Sequence, residues 1–338
     1  MADIEITPEK WELNRKLADV FVPLSREKSK RLYPDGEKSP AAKFVHYTSA
    51  DAALKILRSK RLWMRNTLCM GDYLEVQHGH DMIFNAFNQD NWKMRGEFIA
   101  AADFCSPGTA RKAIGLFDKN WALIRRGTYV TCLSEHDQKE NQHGRLSMWR
   151  AFAPTSARVA IVISLPFFSG VSEKIRVIFS PVAYLDQNGV TNELRGVIKN
   201  IQVNAEFLKA HVSEVELFGW IFTTLLAGVT AVKHEGFDEE REWRGIYCPQ
   251  VLPGPPEIMK SEPQVIGGIP QKIYELPLCK TVSPVLEDID LAKTIDHVIL
   301  GPSQYGYPMY EAFVDALAKI GVPDPANRVA ISGIPIRT

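Results

Sequence analysis

Two glutamates near the start of a predicted strand could do sugar chemistry, in the segment EEREWR at 239–244. Glu240 and Glu242 lie two positions apart, and side chains along a strand alternate with a period of two, so both would share one face. Carboxylates that close raise each other's pKa, which Arg241 and Arg244 could offset in part. Such a pair suits the stabilisation of an oxocarbenium-like centre. The alternative is a charged strand edge at the surface.

A second polar group follows an early apolar segment, in FVHYTS at 44–49. His46, Tyr47 and Thr48 stand at the end of a predicted strand, directly before a leucine-rich segment with helical spacing. Ser49 or Thr48 would cap that helix. His46 is then either a structural histidine or a residue that points from the strand end into a ligand site.

A third group combines a strand end with an aromatic and a basic side chain. Ser134 closes the β-branched run TCLS, and Trp149 and Arg150 occur in the predicted helix LSMWRAFA. Trp149 could stack on a ring, and Arg150 could hold a pyrophosphate through its planar guanidinium group. All three groups offer side chains that a sugar or a nucleotide could use.

Familiar catalytic and metal-binding patterns are missing. The sequence contains no G-x-x-x-x-G-K-[ST], G-x-G-x-x-G, G-x-S-x-G or H-E-x-x-H segment. The densest group of metal-ligating residues comprises Asp72, Glu75, His78, His80 and Asp81. Glu75 and His78 would share a helix face, but His80 would lie about 200° around the helix from His78. We therefore predict no metal site, and a solvated helix start with acidic residues in its first turn.

The elements that must position these residues follow no steady β-α-β order, which favours an α+β fold over a doubly wound parallel sheet. Residues 1–40 read as an N-terminal helical lead-in. Residues 41–338 read as a single catalytic-like α+β domain, with a helical insert at about 72–126. Predicted strands include the β-branched or alternating runs at 127–135, 157–165, 241–248 and 328–337.

Composition narrows the class of protein. The chain has 338 residues, with 40 Lys and Arg against 40 Asp and Glu, so no overall basic charge points to nucleic acid. The longest apolar stretch, at 217–232, is interrupted by glycines and threonines and predicts a buried helix rather than a membrane span. The N-terminal segment lacks a signal-peptide core. Five scattered cysteines without a C-x-x-C pair are typical of reduced thiols, so we expect a cytoplasmic protein without membrane contact.

Six motifs occur in order over about 44–337: FVHYTS, TCLSE, MWRAFA, EREWR, VILGPS and SGIPIR. The series resembles an uncharacterised bacterial domain-of-unknown-function family, whose members show H-Y-T, E-x-E-[YW]-R, G-P and S-x-x-P-x-R segments. The chain departs from that pattern in three places. Gly71-Asp72-x-x-Glu75 stands where members often have N-D-x-x-E, Leu133 replaces a Phe, and Phe152 replaces a Tyr.

That family in turn resembles the ADP-ribosyltransferase-like superfamily, which implies a mixed, mainly antiparallel split sheet. In the superfamily the first strand carries a His or Arg, and His46 matches this position as a group that binds the ribose or the nicotinamide amide. Glu242 matches the late catalytic glutamate, and Glu240 the accessory carboxylate of an E-x-E pair. The middle position stays open between Ser134 and Tyr129.

The resemblance implies an NAD-dependent enzyme, a toxin or anti-phage defence effector. It would cleave the nicotinamide glycosidic bond and transfer ADP-ribose to a protein or nucleic-acid acceptor, or to water, and an antitoxin or defence-system partner is possible. NAD would be the substrate. The residues expected to bind it are His46, Tyr47, Thr48, Ser134, Trp149 and Arg150. The alternative is a non-catalytic nucleotide or nucleic-acid binding module of a bacterial defence system, in which Glu242 is structural. A nuclease would require a metal site.

Overall fold

The computed structural model describes residues 8–71, 75–151, 157–167 and 169–335. This part of the chain forms twelve strands, β1 (Ala42–Ser49), β2 (Arg61–Asn66), β3 (Tyr129–Glu135), β4 (Arg158–Leu165), β5 (Ile178–Pro181), β6 (Ala183–Tyr184), β7 (Val232–Lys233), β8 (Glu242–Tyr247), β9 (Lys260–Ile266), β10 (Ile269–Pro277), β11 (Ile295–Leu300) and β12 (Val329–Ile331). It also forms twelve α-helices, α1 (Pro8–Phe21), α2 (Pro23–Leu32), α3 (Ala50–Ser59), α4 (Glu75–Cys105), α5 (Thr109–Gly127), α6 (Leu146–Ala151), α7 (Ser169–Ile175), α8 (Gln187–Val203), α9 (Ala205–His211), α10 (Glu214–Thr230), α11 (Leu291–Thr294) and α12 (Gly306–Ile320).

Ten strands form one open sheet. Eight of them follow the order β12-β11-β4-β1-β3-β2-β10-β9, while β8 lies on the other side of β3 and β5 lies beyond β8. The pairs in this sheet are antiparallel except for β11 and β12. Strands β6 and β7 form a separate parallel pair. The prediction of a mixed fold with a mainly antiparallel sheet is confirmed.

The sheet divides at β3. Near its C-terminal end β3 pairs with β1, where Val45 lies opposite Ser134, and near its N-terminal end it pairs with β2, where Arg65 lies opposite Val130. The other edge of β3 is covered by β8 over six consecutive pairs. As a result β1, β3 and β8 are neighbours, and these strands carry the predicted site residues His46, Tyr47, Thr48, Ser134 and Glu242.

Two large apolar cores hold the molecule together. The first packs α3 and α12 on one face of the sheet, where Phe44, Ile161 and Leu317 are buried. The second is built mainly between helices, with buried side chains from α1, α4, α5, α8 and α10 (Leu17, Phe98, Ile124, Ile201 and Leu226). Helices α4 and α5 pack against each other and against later helices, α4 on α8 and α10 and α5 on α10. Among the described residues, none of the helices combines the length and apolar character that a membrane span requires.

The start of α3 shows how the early polar motif is used locally. The side chain of Ser49 accepts a hydrogen bond from the backbone N–H of Ala52 at 3.2 Å, so Ser49 rather than Thr48 caps the helix. Ala53, Ile56 and Leu57 form the buried stripe of this helix. Because β1 runs directly into α3, the residues before Ser49 are held at the centre of the sheet.

Trp149 of α6 is held closely between two glycines. The side chain is buried, with 1% of the residue exposed. A Cβ at Gly301 would lie 3.0 Å from its ring, and a Cβ at Gly144 would lie 2.7 Å from it. Gly144 also adopts a φ of +66°, a conformation that favours glycine. The fit fixes α6, and with it Arg150, against the end of β11.

We expect Gly301→Val to lower the free energy of unfolding by about 1–3 kcal/mol, because the added side chain would overpack the site. Its Cβ would lie 2.9 Å from the Cβ of Arg158 as well as against Trp149. Gly115→Val in α5 is the matched control, since no atom lies within 4 Å of its Cβ position; its effect should stay within about 0.5 kcal/mol. Urea unfolding measures both, and equal losses would contradict the close-packing explanation.

Candidate functional site

A network of five ionisable side chains lies at the start of β8, comprising Glu75, Lys233, Glu240, Glu242 and Arg244. Arg244 is its centre, and only 1% of its side chain is exposed. Its Nε and Nη2 donate to the two carboxylate oxygens of Glu242 at 2.8 and 2.9 Å. Nη2 also donates to Oε1 of Glu75 at 2.5 Å. Charge-assisted, two-point contacts of this kind are the strong ones in proteins.

Lys233 of β7 joins the remaining carboxylate to this network. Its Nζ donates to Oε2 of Glu240 at 2.7 Å and lies 3.6 Å from a carboxylate oxygen of Glu75 and of Glu242. Three carboxylates thus share two cations. Such a group is stable in a buried position only while each charge has its partners, because the loss of one leaves another uncompensated.

The network separates the titration of the two glutamates. Burial raises the pKa of Glu242, but the guanidinium of Arg244 and then the Lys233 ammonium outweigh it and lower that pKa to about 2. Burial also raises the pKa of Glu240, and here Lys233 opposes the effect only in part. The side chain of Glu240 is 22% exposed, against 7% for Glu242. Glu240 is therefore the carboxylate that a ligand could reach, while Glu242 is committed to Arg244.

The prediction that strand alternation places Glu240 and Glu242 on one face was wrong, because the two residues do not lie in the same strand. Glu240 ends a 3-10 helix, β8 begins only at Glu242, and Arg241 between them adopts a left-handed conformation with φ 44°. This turn directs the Arg241 guanidinium away from the network and onto Glu140. Both glutamates still meet, but it is Lys233 that brings them together.

A surface cleft of about 530 Å³ lies next to the network and is called here the arginine cleft. It is lined by Lys139, Glu140, Arg145, Leu146, Ser147, Arg150, Glu239 and Arg241. Four of these side chains are basic and two are acidic, so the cleft favours anions. Its volume lies in the range of small-ligand sites.

Arg145 holds the walls of the arginine cleft together. Its Nη1 donates to the backbone carbonyl of Glu239 at 2.5 Å, and its Nη2 donates to that of Glu135 at 2.9 Å. Its Nε lies 3.3 Å from the Glu140 carboxylate. Its backbone N–H donates to the hydroxyl of Tyr47 in β1 at 2.8 Å. The loop after β3, the segment before β8 and the central strand β1 are thereby connected through one residue.

Arg150 and Lys139 are the basic groups that remain open to solvent. Arg150 is exposed and forms no ion pair or hydrogen bond within the part of the chain that the structure describes. The Lys139 side chain is 75% exposed and lies 3.4 Å from Asp137. Glu140, in contrast, is already paired with Arg145 and Arg241. An anionic ligand would therefore meet Arg150 without having to displace a carboxylate from it.

Several sequence-predicted residues meet beside the arginine cleft. The rings of Tyr47 and Trp149 pack edge to face, with centroids 4.9 Å apart. Ser134 Oγ donates to the backbone carbonyl of Glu240 at 2.6 Å. Trp149 Nε1 donates to the carbonyl of His143 at 2.7 Å, and its ring is buried, so it supports the cleft rather than offering a free stacking surface. Tyr47, Ser134 and Trp149 thus position the residues that line the cleft.

His46 and Thr48 point the other way. Val45 lies opposite Ser134, which in turn lies opposite Glu242, so these three share a face, while His46 and Thr48 occupy the opposite one. The structure does not bring His46 and Glu242 to one face of the sheet. His46 is the residue after Val45, and neighbouring side chains along a strand point to opposite faces.

His46 instead spans the division of the sheet at β3. Its Nδ1 lies 2.9 Å from the backbone carbonyl of Cys132, which can only accept, so Nδ1 carries the proton. Cys132 lies between the stretches of β3 that pair with β1 and β2. Burial lowers the pKa of His46, and the hydrogen bond to the Cys132 carbonyl opposes this shift. Nε2 has no hydrogen-bond partner among the described residues.

The acidic and histidine-rich segment at 71–81 does not act as one unit. Asp72 lies outside the described residues. Glu75 joins the Arg244 network, whereas the His80 ring stacks on Trp121 with centroids 3.8 Å apart. Within the described ranges, no three His, Cys, Asp or Glu side chains are placed to hold a metal ion. Sequence reasoning missed the role of Glu75, although its place in the G-D-x-x-E motif was a signal.

Comparison with known proteins adds one match. The family described as "Protein of unknown function (DUF2971)" matches residues 148–245, which is under a third of the chain. The matched region contains Arg150, Lys233, Glu240, Arg241, Glu242 and Arg244. No curated protein and no solved structure matches the chain. The match is consistent with an uncharacterised domain family and covers most of the charge network, but not Glu75.

The pH dependence of stability tests the charge network. The folded pKa of Glu242 is about 2, below its ordinary value of 4.5, so the ionised group stabilises the fold above pH 4.5 and loses this contribution as pH falls towards 2. We expect Glu242→Gln to lower the free energy of unfolding by roughly 3–5 kcal/mol at neutral pH, because Arg244 loses the carboxylate that it contacts at two points. The difference from wild type should shrink as the solution is acidified.

Chemical denaturation at a series of pH values provides the measurement. Glu239→Gln is the matched control, because Glu239 is an exposed glutamate three positions earlier in the chain. Glu239→Gln should lower the free energy of unfolding by less than about 0.5 kcal/mol. A large Glu242→Gln effect that did not change with pH would show that the ionised carboxylate is not what stabilises the fold.

Proposed function

We propose that the protein binds a nucleotide in the arginine cleft, with the ligand phosphates on Arg150. The observation that carries this proposal is that Arg150 is exposed in a basic cleft without a carboxylate partner among the described residues. Guanidinium groups bind phosphate by two parallel hydrogen bonds. Arg145 and Arg241 add positive charge to the same cleft, although both are paired with Glu140.

The other groups in the cleft suit a nucleotide better than a polymer. Ser147 offers a hydroxyl, and Glu239 offers a carboxylate that can accept hydrogen bonds from ribose hydroxyls. A cleft of about 530 Å³ accommodates a small molecule. Nucleic acid, in contrast, is bound by extended basic surfaces, and the chain has equal numbers of basic and acidic residues.

Titration calorimetry with ADP-ribose tests the binding proposal. We expect Arg150→Gln to weaken binding by about tenfold or more, because charged hydrogen bonds to phosphate are lost. Arg125→Gln is the matched control, since Arg125 is also an exposed arginine in the last turn of a helix. Its affinity should stay within about twofold of wild type. If the wild-type protein bound no ADP-ribose, or if both variants bound equally, the arginine cleft would not be the site.

A second candidate function is cleavage of NAD and transfer of ADP-ribose. It is favoured by the adjacency of β1, β3 and β8, the strands that carry His46, Ser134 and Glu242, which the ADP-ribosyltransferase resemblance singles out. Glu240 is the carboxylate with the exposure needed to stabilise positive charge as nicotinamide leaves. Glu242 then acts indirectly, by holding Arg244 and Lys233. A protein or nucleic-acid acceptor, a toxin or defence role and a cytoplasmic location remain parts of this hypothesis.

Nicotinamide release from NAD tests the enzyme hypothesis. Glu240→Gln should reduce release by about a hundredfold or more, because the charge that stabilises the transition state is lost. Lys233 keeps Glu75 and Glu242 as partners, so the melting temperature should change little. Glu235→Gln, an exposed glutamate of the same 3-10 helix, is the control and should retain activity. Wild-type protein that releases no nicotinamide with protein, DNA or RNA acceptors would remove this candidate and leave the binding proposal intact.

A further inference from the structure

A second cavity, of about 640 Å³, lies among α1, α2, α7, β5 and α10. It is called here the α10 pocket. No residue that lines it also lines the arginine cleft. Its volume lies within the range of sites that enclose small organic molecules. Neither the charge network nor the proposed nucleotide site requires such a space.

Small residues on α10 create this space. Gly219, Thr223 and Ala227 recur at intervals of four and therefore lie on one face of the helix, and all three line the pocket. The opposite side of α10 is buried in the helical core through residues such as Ile221 and Leu225. A Cβ at Gly219 would meet no atom within 4 Å. The side of the helix that faces the pocket is thus left open rather than packed against a neighbouring helix.

The walls of the α10 pocket are strongly aromatic. Trp11, Trp220 and Trp243 line it together with Tyr33 and Phe167. Tyr33 packs edge to face on Phe167 with ring centroids 5.5 Å apart, and Trp11 lies 5.9 Å from the same ring. Aromatic walls of this kind favour a flat ring, through stacked or edge-to-face contact.

The basic groups of the pocket indicate the charge of the ligand. The Arg26 side chain is 13% exposed, and its buried Nε has no hydrogen-bond partner in the described part of the chain, although it lies 3.4 Å from Asp19. Arg15 and Arg176 also line the pocket. The terminal nitrogens of this partly exposed guanidinium group can donate hydrogen bonds to an anionic oxygen in the pocket.

The acidic groups of the pocket are already engaged. Glu173 lies 3.7 Å from Lys10, and Glu216 accepts hydrogen bonds from the backbone N–H and the hydroxyl of Ser213 at 3.0 and 2.7 Å. The hydroxyl of Thr224 lines the pocket and has no hydrogen-bond partner among the described residues. The pocket is lined by four basic and two acidic side chains, and this excess of positive charge favours a negatively charged ligand.

We propose that the α10 pocket binds a small aromatic anion, a flat ring system that carries a carboxylate, sulfonate or phosphate group. The ring lies between the tryptophan side chains, and the anionic group lies at Arg26. This site goes beyond the proposed nucleotide site, because it uses other residues on another part of the fold.

The fluorescent aromatic sulfonate 8-anilino-1-naphthalenesulfonate is the probe for the first experiment. Wild-type protein in its native state should bind it in a saturable manner, with quenching of tryptophan emission. Gly219→Leu should weaken binding by about tenfold or more, since its side chain fills the space between the aromatic walls. Gly196→Leu in α8 is the matched control, because Gly196 is also a partly buried helical glycine with no atom within 4 Å of its Cβ position. It should bind as wild type does.

The second experiment tests the charge of the ligand. Arg26→Gln should weaken binding of the sulfonate probe by about tenfold or more, because charge-assisted hydrogen bonds are lost. The affinity for the neutral probe N-phenyl-1-naphthylamine should stay within about twofold of the wild-type value. Arg150→Gln should not change either affinity, which separates this site from the arginine cleft.

Thermal melting establishes that each variant is folded, and Thr223→Leu replaces Gly219→Leu if the latter unfolds. The proposal is overturned if folded wild-type protein shows no saturable binding of the sulfonate probe. It is also overturned if Gly219→Leu and Thr223→Leu both bind the sulfonate probe as tightly as Gly196→Leu does. Equal loss of the charged and the neutral probe in Arg26→Gln would contradict the assignment of an anion.

Discussion

The buried guanidinium of Arg244 is the interaction on which the charged half of the structure depends. Removed from water, it must have its donors satisfied, and it reaches one partner on its own strand and two on helices from other parts of the chain. Glu75 begins α4, Glu242 begins β8, and the carbonyl of Thr230 at the end of α10 accepts from Nη1 at 2.7 Å. The need to pair the donors of Arg244 therefore positions α4 and α10 against the sheet.

The same requirement separates structural from functional groups. Glu242 is committed to Arg244, and this leaves Glu240 as the more exposed carboxylate next to the arginine cleft. The left-handed turn at Arg241 places adjacent side chains on different sides of the segment, one in the cleft and two in the network. A short stretch of chain can thus both anchor a buried ion group and form the wall of a ligand site.

Trp243 lies between the two cavities. Its ring lines the α10 pocket, and its Nε1 donates to the carboxylate of Glu135 at 2.9 Å. The backbone carbonyl of Glu135 accepts from Arg145, which holds the arginine cleft together. The two sites use different lining residues, yet Trp243 and Glu135 link them through the contacts just described. Packing of the indole ring on one side and polar contacts on the other follow from the alternation of β3 and β8.

The sequence by itself determined the local elements and the position of the charged motif. The β-branched runs became β3 and β4, Ser49 capped α3, and the interrupted apolar stretch became α10, because these features depend on near neighbours in the chain. Only the tertiary structure decided which charges meet. Glu75 and Arg244 are 169 residues apart, and the face taken by His46 follows from the register of β1 on β3. Strand order and register arise from packing of the whole chain, so local periodicity could not supply them.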